Sequence, residues 1–229
     1  MQLFYSSLIN ESNTSFVFDK EESKHIIKVL RKKESDKIFI TNGLGDLFKT
    51  EISLASDSKC TVAILSKEKK EATQYPLHLA VAPTKMNDRY EWFLEKATEI
   101  GIQEITPIIC DRSERKVINK ERFEKIILTA MKQCNQFYLP KLNEAITFKN
   151  FIKQQHEGQL LIAHCEETDK KSLKSVLNTN TKTTILIGPE GDFSETEIEL
   201  ALANNFIPVT LGNTRLRTGS TWDASSRSV

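Results

Sequence analysis

Two segments of this 229-residue sequence bring glycines, charge and an apolar strand together in an order that builds a ligand site. The first is Thr183-Thr-Ile-Leu-Ile-Gly-Pro-Glu-Gly-Asp-Phe-Ser-Glu-Thr-Glu-Ile198. Its opening residues read as a buried strand that ends at Ile187 and delivers Gly188, Pro189, Glu190 and Gly191. Loops at the carboxyl ends of strands are where open α/β sheets bind ligands, and two glycines let the backbone approach a ligand with no side chain between them. Ser194 and Glu197 then form a Ser-x-x-Glu capping box that starts a helix. The second segment is Val209-Thr-Leu-Gly-Asn-Thr-Arg-Leu-Arg-Thr218, a strand that delivers Gly212 and, after it, two arginines. Two such loops on one sheet can share a pocket. Neither matches the Gly-x-Gly-x-x-Gly pattern or a phosphate-binding loop ending in Gly-Lys-Ser/Thr, which disfavours nicotinamide dinucleotides and nucleoside triphosphates. Taken alone, the first loop is equally a tight turn.

Other reactive side chains carry less. Cys60, Cys110, Cys134 and Cys165 stand singly, with no Cys-x-x-Cys pair and no nearby histidine to complete a zinc knuckle. They read as reduced, partly buried thiols. Cys134 paired with a histidine would make a nucleophile, but a single cysteine on an apolar helix face reads first as core. No metal is expected. Charge is balanced, with 32 Lys and Arg against 31 Asp and Glu, so a nucleic-acid surface would have to be a local patch. One candidate is the helix expected from Asp19, which opens an Asp-x-x-Glu capping box, to Leu30. Ile26, Ile27, Val29 and Leu30 form its expected buried stripe, while Lys24, Lys28 and Arg31 recur at i, i+4 and i+7. By itself that basic face is also what a solvated helix surface looks like.

The elements that must hold these residues fall into two parts. Before residue 70 the pattern is β-rich: a strand at 15–18, the helix, and a hairpin of Lys37-Ile-Phe-Ile-Thr and Leu47-Phe-Lys-Thr-Glu-Ile turned by Asn42-Gly-Leu-Gly-Asp46, then a strand near 60–65. The charge-rich run 66–76 reads as a linker. Beyond it strands and helices alternate, which predicts an α/β sheet of mainly parallel strands at 77–82, 105–110, 159–165, 183–187 and 206–211. Helices are expected from Asp88, as cap, to Gly101, with Tyr90, Phe93, Leu94, Ala97 and Ile100 inward, and over 119–134. With 39% hydrophobic residues, no apolar run near the roughly 18 that span a membrane and no secretory pattern at the start, the chain reads as soluble and cytoplasmic.

The combination of motifs resembles the RsmE-type 16S ribosomal RNA uracil-N3 methyltransferases of the SPOUT superfamily. Their signature, Ile-Gly-Pro-Glu-Gly-x-Phe-Ser-x-x-Glu with a later Leu-Gly-x-x-x-Leu-Arg-Thr, is matched at 187–191, Phe193, Ser194, Glu197, Leu211, Gly212, Leu216, Arg217 and Thr218. His25 to Arg31 is similar to the family's N-terminal His-x-x-x-Val-Leu-Arg, and Lys85 with Arg89, 95–101, Thr106-Pro107 and 130–133 are similar to its middle motifs. The resemblance implies a PUA-like RNA-binding domain over 1–70 and a SPOUT methyltransferase domain with a trefoil knot over 71–229, assembled as a homodimer. It implies S-adenosylmethionine (SAM) held by Ile187, Gly188, Pro189, Glu190, Gly191, Leu211, Gly212, Leu216 and Thr218. It also implies 16S rRNA, within a small ribosomal subunit or its precursor, as partner, with RNA contacts from Lys24, His25, Lys28, Arg31, Lys85 and Arg89.

For that chemistry uracil N3 must lose its proton, and Arg217 is the guanidinium expected to stabilise the charge developing on the uracil oxygens. Glu190 is a candidate for orientation or proton removal, and equally an acid beside a helix start. Two alternatives stay open: another methyl transfer of the superfamily, such as ribose 2′-O-methylation, and a non-catalytic RNA-binding role in ribosome assembly. The sequence departs from the family after Thr218, where Gly219-Ser-Thr replaces Glu-Thr-Ala and has lower helix propensity, so weaker turnover is expected. Asn135 stands where the family has an arginine-containing run, which would remove one RNA contact.

Overall fold

The computed structural model describes residues 1–72, 76–166, 170–178 and 181–210. The chain divides into two units, Met1–Ala72 with Met131–Leu139, and Thr73–Ala130 with Pro140–Val229.

The first unit contains β1 (Leu3–Tyr5), β2 (Ser15–Val17), α1 (Lys20–Lys24), β3 (Lys37–Thr41), β4 (Asp46–Leu54) and β5 (Thr61–Lys69), with sheet order β1-β3-β4-β5-β2. β1 pairs with β3 in parallel and the other pairs are antiparallel. Ile38 and Ile40 alternate onto one face and, with Phe4, Phe18, Ile26, Phe48 and Val62, make the core. The expected hairpin forms because the Asn42 side chain organises it: its Oδ1 accepts from the amides of Leu44 and Asp46, at 2.9 and 3.3 Å, and its Nδ2 donates to Asp46 at 2.6 Å. Gly43 and Gly45 supply the positive φ that the turn needs.

Three expectations for this unit need correction. Residues 66–69 are not linker. They continue β5, because their alternating charges lie on an exposed face while the backbone pairs with 46–49 of β4. The expected helix is short and changes type, α1 passing into a π-turn over His25–Val29 in which the Leu30 amide donates to the His25 carbonyl. The wider turn rotates Val29 out of the stripe, so it is 66% exposed while Ile26 is fully buried, and Arg31 takes a left-handed φ of 55° that breaks the i+7 relation. Finally, Asp19 caps the Glu22 amide as expected, but the Glu22 carboxylate pairs with His25 and Lys132.

The second unit runs through β6 (Leu77–Val81), α2 (Asn87–Glu99), β7 (Glu104–Ile109), α3 (Lys120–Cys134), β8 (Lys141–Leu142), β9 (Ile146–Thr147), α4 (Phe148–Ile152), β10 (Gln159–Ala163), β11 (Lys171–Ser172), α5 (Leu173–Val176), β12 (Thr183–Ile187), α6 (Glu195–Ala203) and β13 (Ile207–Thr210). The sheet order is β11-β13-β10-β12-β6-β7-β8, every pair parallel, with β9 also on β7. Each residue of β6 and β12 is buried, as strands covered on both faces require. The five expected strands are present. β8, β9 and β11 escape sequence reading because two residues show no period. The cap of α2 is Met86, with Asp88 inside the first turn, and Ile100 is 43% exposed because the helix has ended before it turns inward. Gly101, at φ 82°, stops the helix as expected, and Asn135 does the same for α3 in a left-handed conformation. Among the described residues no helix is long and apolar enough to cross a membrane.

Candidate functional site

Because the second unit's sheet is parallel, the carboxyl ends of its strands share one edge, and the loop after β12 is built there from contacts to its neighbours. The Glu190 carboxylate accepts from the Lys85 amide, just beyond β6, at 3.0 Å. Arg115 donates to the carbonyls of Thr84 and Lys85 on the same segment, and Lys85 Nζ pairs with Glu114 at 2.8 Å. From the segment after β7, Arg112 donates to the Gly191 carbonyl at 3.0 Å. From the end of β10, the Cys165 amide donates to Asp192 at 2.7 Å. The loop is therefore tied to three strand ends, one on each side of β12 in the sheet order and one beyond β6.

Its two glycines serve different needs. A Cβ at Gly188 would lie 3.1 Å from the ring of Phe193, which is fully buried, so Gly188 lets that ring pack under the loop. At Gly191, which is exposed, the nearest atoms that a Cβ would meet among the described residues belong to Arg112, at 3.4 Å or more, an ordinary contact. Packing among the described residues therefore does not require a glycine at Gly191.

The capping box forms in both directions: Ser194 Oγ accepts from the Glu197 amide, and the Ser194 amide donates to Glu197 at 2.9 Å. The other oxygen of this buried carboxylate accepts from the Asp111 amide at 2.9 Å, so Glu197 joins α6 to the segment after β7. Glu197→Ala is expected to destabilise the protein by about 2–3 kcal/mol, since charged hydrogen bonds to two backbone amides are lost together. Urea unfolding checks this, with exposed Glu195→Ala, in the same first turn, expected to stay within about 0.5 kcal/mol.

The other expected site residues are dispersed. Lys24, His25, Lys28 and Arg31 are exposed on the first unit, Lys28 pairing with Asp57 at 3.3 Å and His25 with Glu22 at 3.2 Å. Lys85 and Arg89 are exposed at the start of α2 in the second unit. Leu211, Gly212, Leu216, Arg217 and Thr218 lie outside the described residues, as does the Gly219–Val229 tail. Cys60 and Cys110 are buried as expected, and burial pushes both thiols up from their ordinary value. Cys165 is exposed, contrary to the expectation, because β10 ends two residues before it. Sequence reading missed Asp192, Arg112 and His164. Asp192 occupies a variable position of the signature, and the others belong to strand ends whose neighbours depend on sheet order.

An RNA methyltransferase domain model matches residues 70–222, and an RNA methyltransferase PUA domain model matches residues 18–65. The chain is 29% identical to the ribosomal RNA small subunit methyltransferase E of Rickettsia conorii, covering 94% of this chain and 89% of the relative. It is 27% identical to the protein of that name from Bacillus subtilis, covering 95% and 91%. Among solved structures, one from Porphyromonas gingivalis called a probable rRNA-methyltransferase superposes with a TM-score of 0.90 at 34% identity, covering 99% of this chain and 96% of the other. The Legionella pneumophila protein Lpg2936, solved with bound SAM, superposes with a TM-score of 0.86 at 27% identity, covering 99% and 95%. The chain belongs to the RNA methyltransferase family, in the group of the ribosomal RNA small subunit methyltransferase E proteins.

Proposed function

We propose that this protein methylates N3 of a uracil in 16S ribosomal RNA, with SAM as methyl donor. The observation that carries the reading is the Gly188–Gly191 loop, fixed to three strand ends at the carboxyl edge of a parallel sheet, inside the region that matches an RNA methyltransferase domain. The loop suits a bulky ligand. Gly191 is exposed and its missing side chain is not demanded by packing among the described residues, which fits close approach of a ligand as the reason for a glycine. In this reading Ile187, Gly188, Pro189, Glu190 and Gly191 hold SAM from one side. Leu211, Gly212, Leu216 and Thr218 hold it from the other. When bound, SAM supplies a methyl group on a sulfonium, open to in-line attack.

The chain's own residues do the rest. Arg217 stabilises the anionic uracil oxygens, as a fixed guanidinium does best in a water-poor site. Glu190 orients the loop through the Lys85 amide or takes the N3 proton. The target base is unstacked to reach the pocket. The PUA-like domain over 1–70 and the methyltransferase domain over 71–229, with its trefoil knot, act as a cytoplasmic homodimer on a small ribosomal subunit or its precursor. Mass spectrometry of ribosomal RNA from cells with and without the gene tests the reading: a methylated uracil that disappears supports it, while loss of a ribose methyl group would assign 2′-O transfer. The Gly219-Ser-Thr run favours a second reading, RNA binding without catalysis, for which calorimetry with SAM would give no heat.

RNA binding also makes a charge prediction. Lys24, Lys28 and Arg31 are exposed and contact phosphates in this reading, together with His25, Lys85 and Arg89. Replacing the first three by alanine is expected to lower the slope of log affinity against log salt by about two to three units. An unchanged slope would make the face a solvated surface only.

A further inference from the structure

The second unit holds two buried histidines with opposite circumstances. His78, 5% exposed, is satisfied: its Nε2 lies 2.7 Å from Thr106 Oγ1 and its Nδ1 lies 3.5 Å from Thr184 Oγ1. His164, 7% exposed, has no hydrogen-bond partner on either ring nitrogen among the described residues. Buried polar side chains are nearly always bonded, so an imidazole left in this state needs a reason.

Its place in the sheet supplies one. Ala163, the last residue of β10, lies opposite Ile187 of β12 on one side and Val209 of β13 on the other. His164 is therefore the next residue at the carboxyl edge, between the strand that delivers Gly188 and the strand that runs on towards Leu211. Any ligand lying across those two strand ends passes over it. The backbone on either side is held, since Lys170 Nζ donates to the His164 carbonyl at 3.1 Å and the Cys165 amide donates to Asp192. The backbone that carries the ring is thus held in advance of its partner.

We propose that His164 is a cofactor-binding residue, giving or accepting one hydrogen bond through a ring nitrogen to the adenosine end of SAM. The inference rests on the SAM site proposed above. The adenosine end is favoured over the methionine end by charge. Burial, reinforced by Lys170 and opposed by Asp192 and Glu166, lowers the affinity of the imidazole for a second proton and keeps the ring neutral. A neutral ring offers one donor and one acceptor, which suit adenine nitrogens and ribose hydroxyls. The carboxylate and ammonium of the methionine end would need charged partners to be buried there.

Calorimetry on the full chain with SAM and with S-adenosylhomocysteine, which shares the adenosine but lacks the methyl and its positive charge, tests this. His164→Leu is expected to weaken both ligands roughly tenfold, the worth of one buried hydrogen bond, without lowering the thermal midpoint of the free protein. Either His164→Asn or His164→Gln, each keeping one of the two nitrogen positions, should recover part of the loss, which a purely structural role would not produce. In the wild-type protein, the His164 ring-nitrogen resonances should move on saturation with SAM, a measurement that needs no folded variant. Unchanged affinities in folded His164→Leu, or resonances that do not move at saturation, would overturn the proposal and leave the SAM site standing. A loss confined to SAM would put the ring at the sulfonium and overturn the adenosine assignment. Failure of the wild-type chain to bind either ligand would remove the SAM site and this inference with it.

Discussion

Gly191→Val is expected to weaken SAM binding at least about a hundredfold while leaving the fold intact, because added bulk in a well-packed contact costs more than the contact itself supplied. The effect depends on where the missing side chain would go. Among the described residues a Cβ at Gly191 meets Arg112 Cβ at 3.4 Å, Arg112 Cδ at 3.7 Å and the Arg112 carbonyl at 3.9 Å, all ordinary separations. The valine should therefore be accommodated in the free protein, with a thermal midpoint close to wild type, and its methyl groups should occupy the open face of the loop. Gly188→Ala provides the contrast. There the added carbon lies 3.1 Å from the Phe193 ring, so stability should fall before ligand binding is considered. Calorimetry and thermal unfolding on both variants separate the two cases. Wild-type affinity in folded Gly191→Val would place the ligand elsewhere.

The second large effect is expected at Arg217, which lies outside the described residues and is assigned from the Leu-Gly-x-x-x-Leu-Arg-Thr motif. Removing one preorganised group that stabilises a developing anion lowers turnover by roughly 10²–10³-fold. Arg217→Ala should therefore lose methyl transfer to this extent in single-turnover assays, with SAM affinity nearly unchanged. Arg217→Lys should recover only part of the rate, since an ammonium keeps the charge but loses the planar fork. Equal turnover by wild type and Arg217→Ala would require another group to stabilise the uracil anion.

Much of this protein was legible in its residues. The runs at 77–81 and 183–187 are mostly apolar with no polar alternation, because strands covered on both faces bury every position, and that is what marks a parallel sheet. The Asn42-Gly-Leu-Gly turn and the Ser194–Glu197 box are local: every atom that forms them lies within a few residues, so spacing alone specifies them. The glycine loop at 188–191 was visible for the same reason, as a strand end followed by residues that leave the backbone open.

What tertiary structure decided was partnership. The Glu190 carboxylate meets the Lys85 amide, Glu197 meets the Asp111 amide, and Asp192 meets the Cys165 amide, pairs separated by 105, 86 and 27 residues. They exist because β12 inserts between β6 and β10, an order that does not follow the chain. Local corrections have a similar origin. Residues 66–69 look like linker until β4 offers its edge, and the π-turn at His25–Val29 turns Val29 outward while Ile26 stays in the core. The same order leaves His164 at the carboxyl edge between β12 and β13 with neither ring nitrogen bonded among the described residues. Periodicity reports which face of an element is apolar, whereas the partner of a buried polar atom is set by the strands that the fold places beside it.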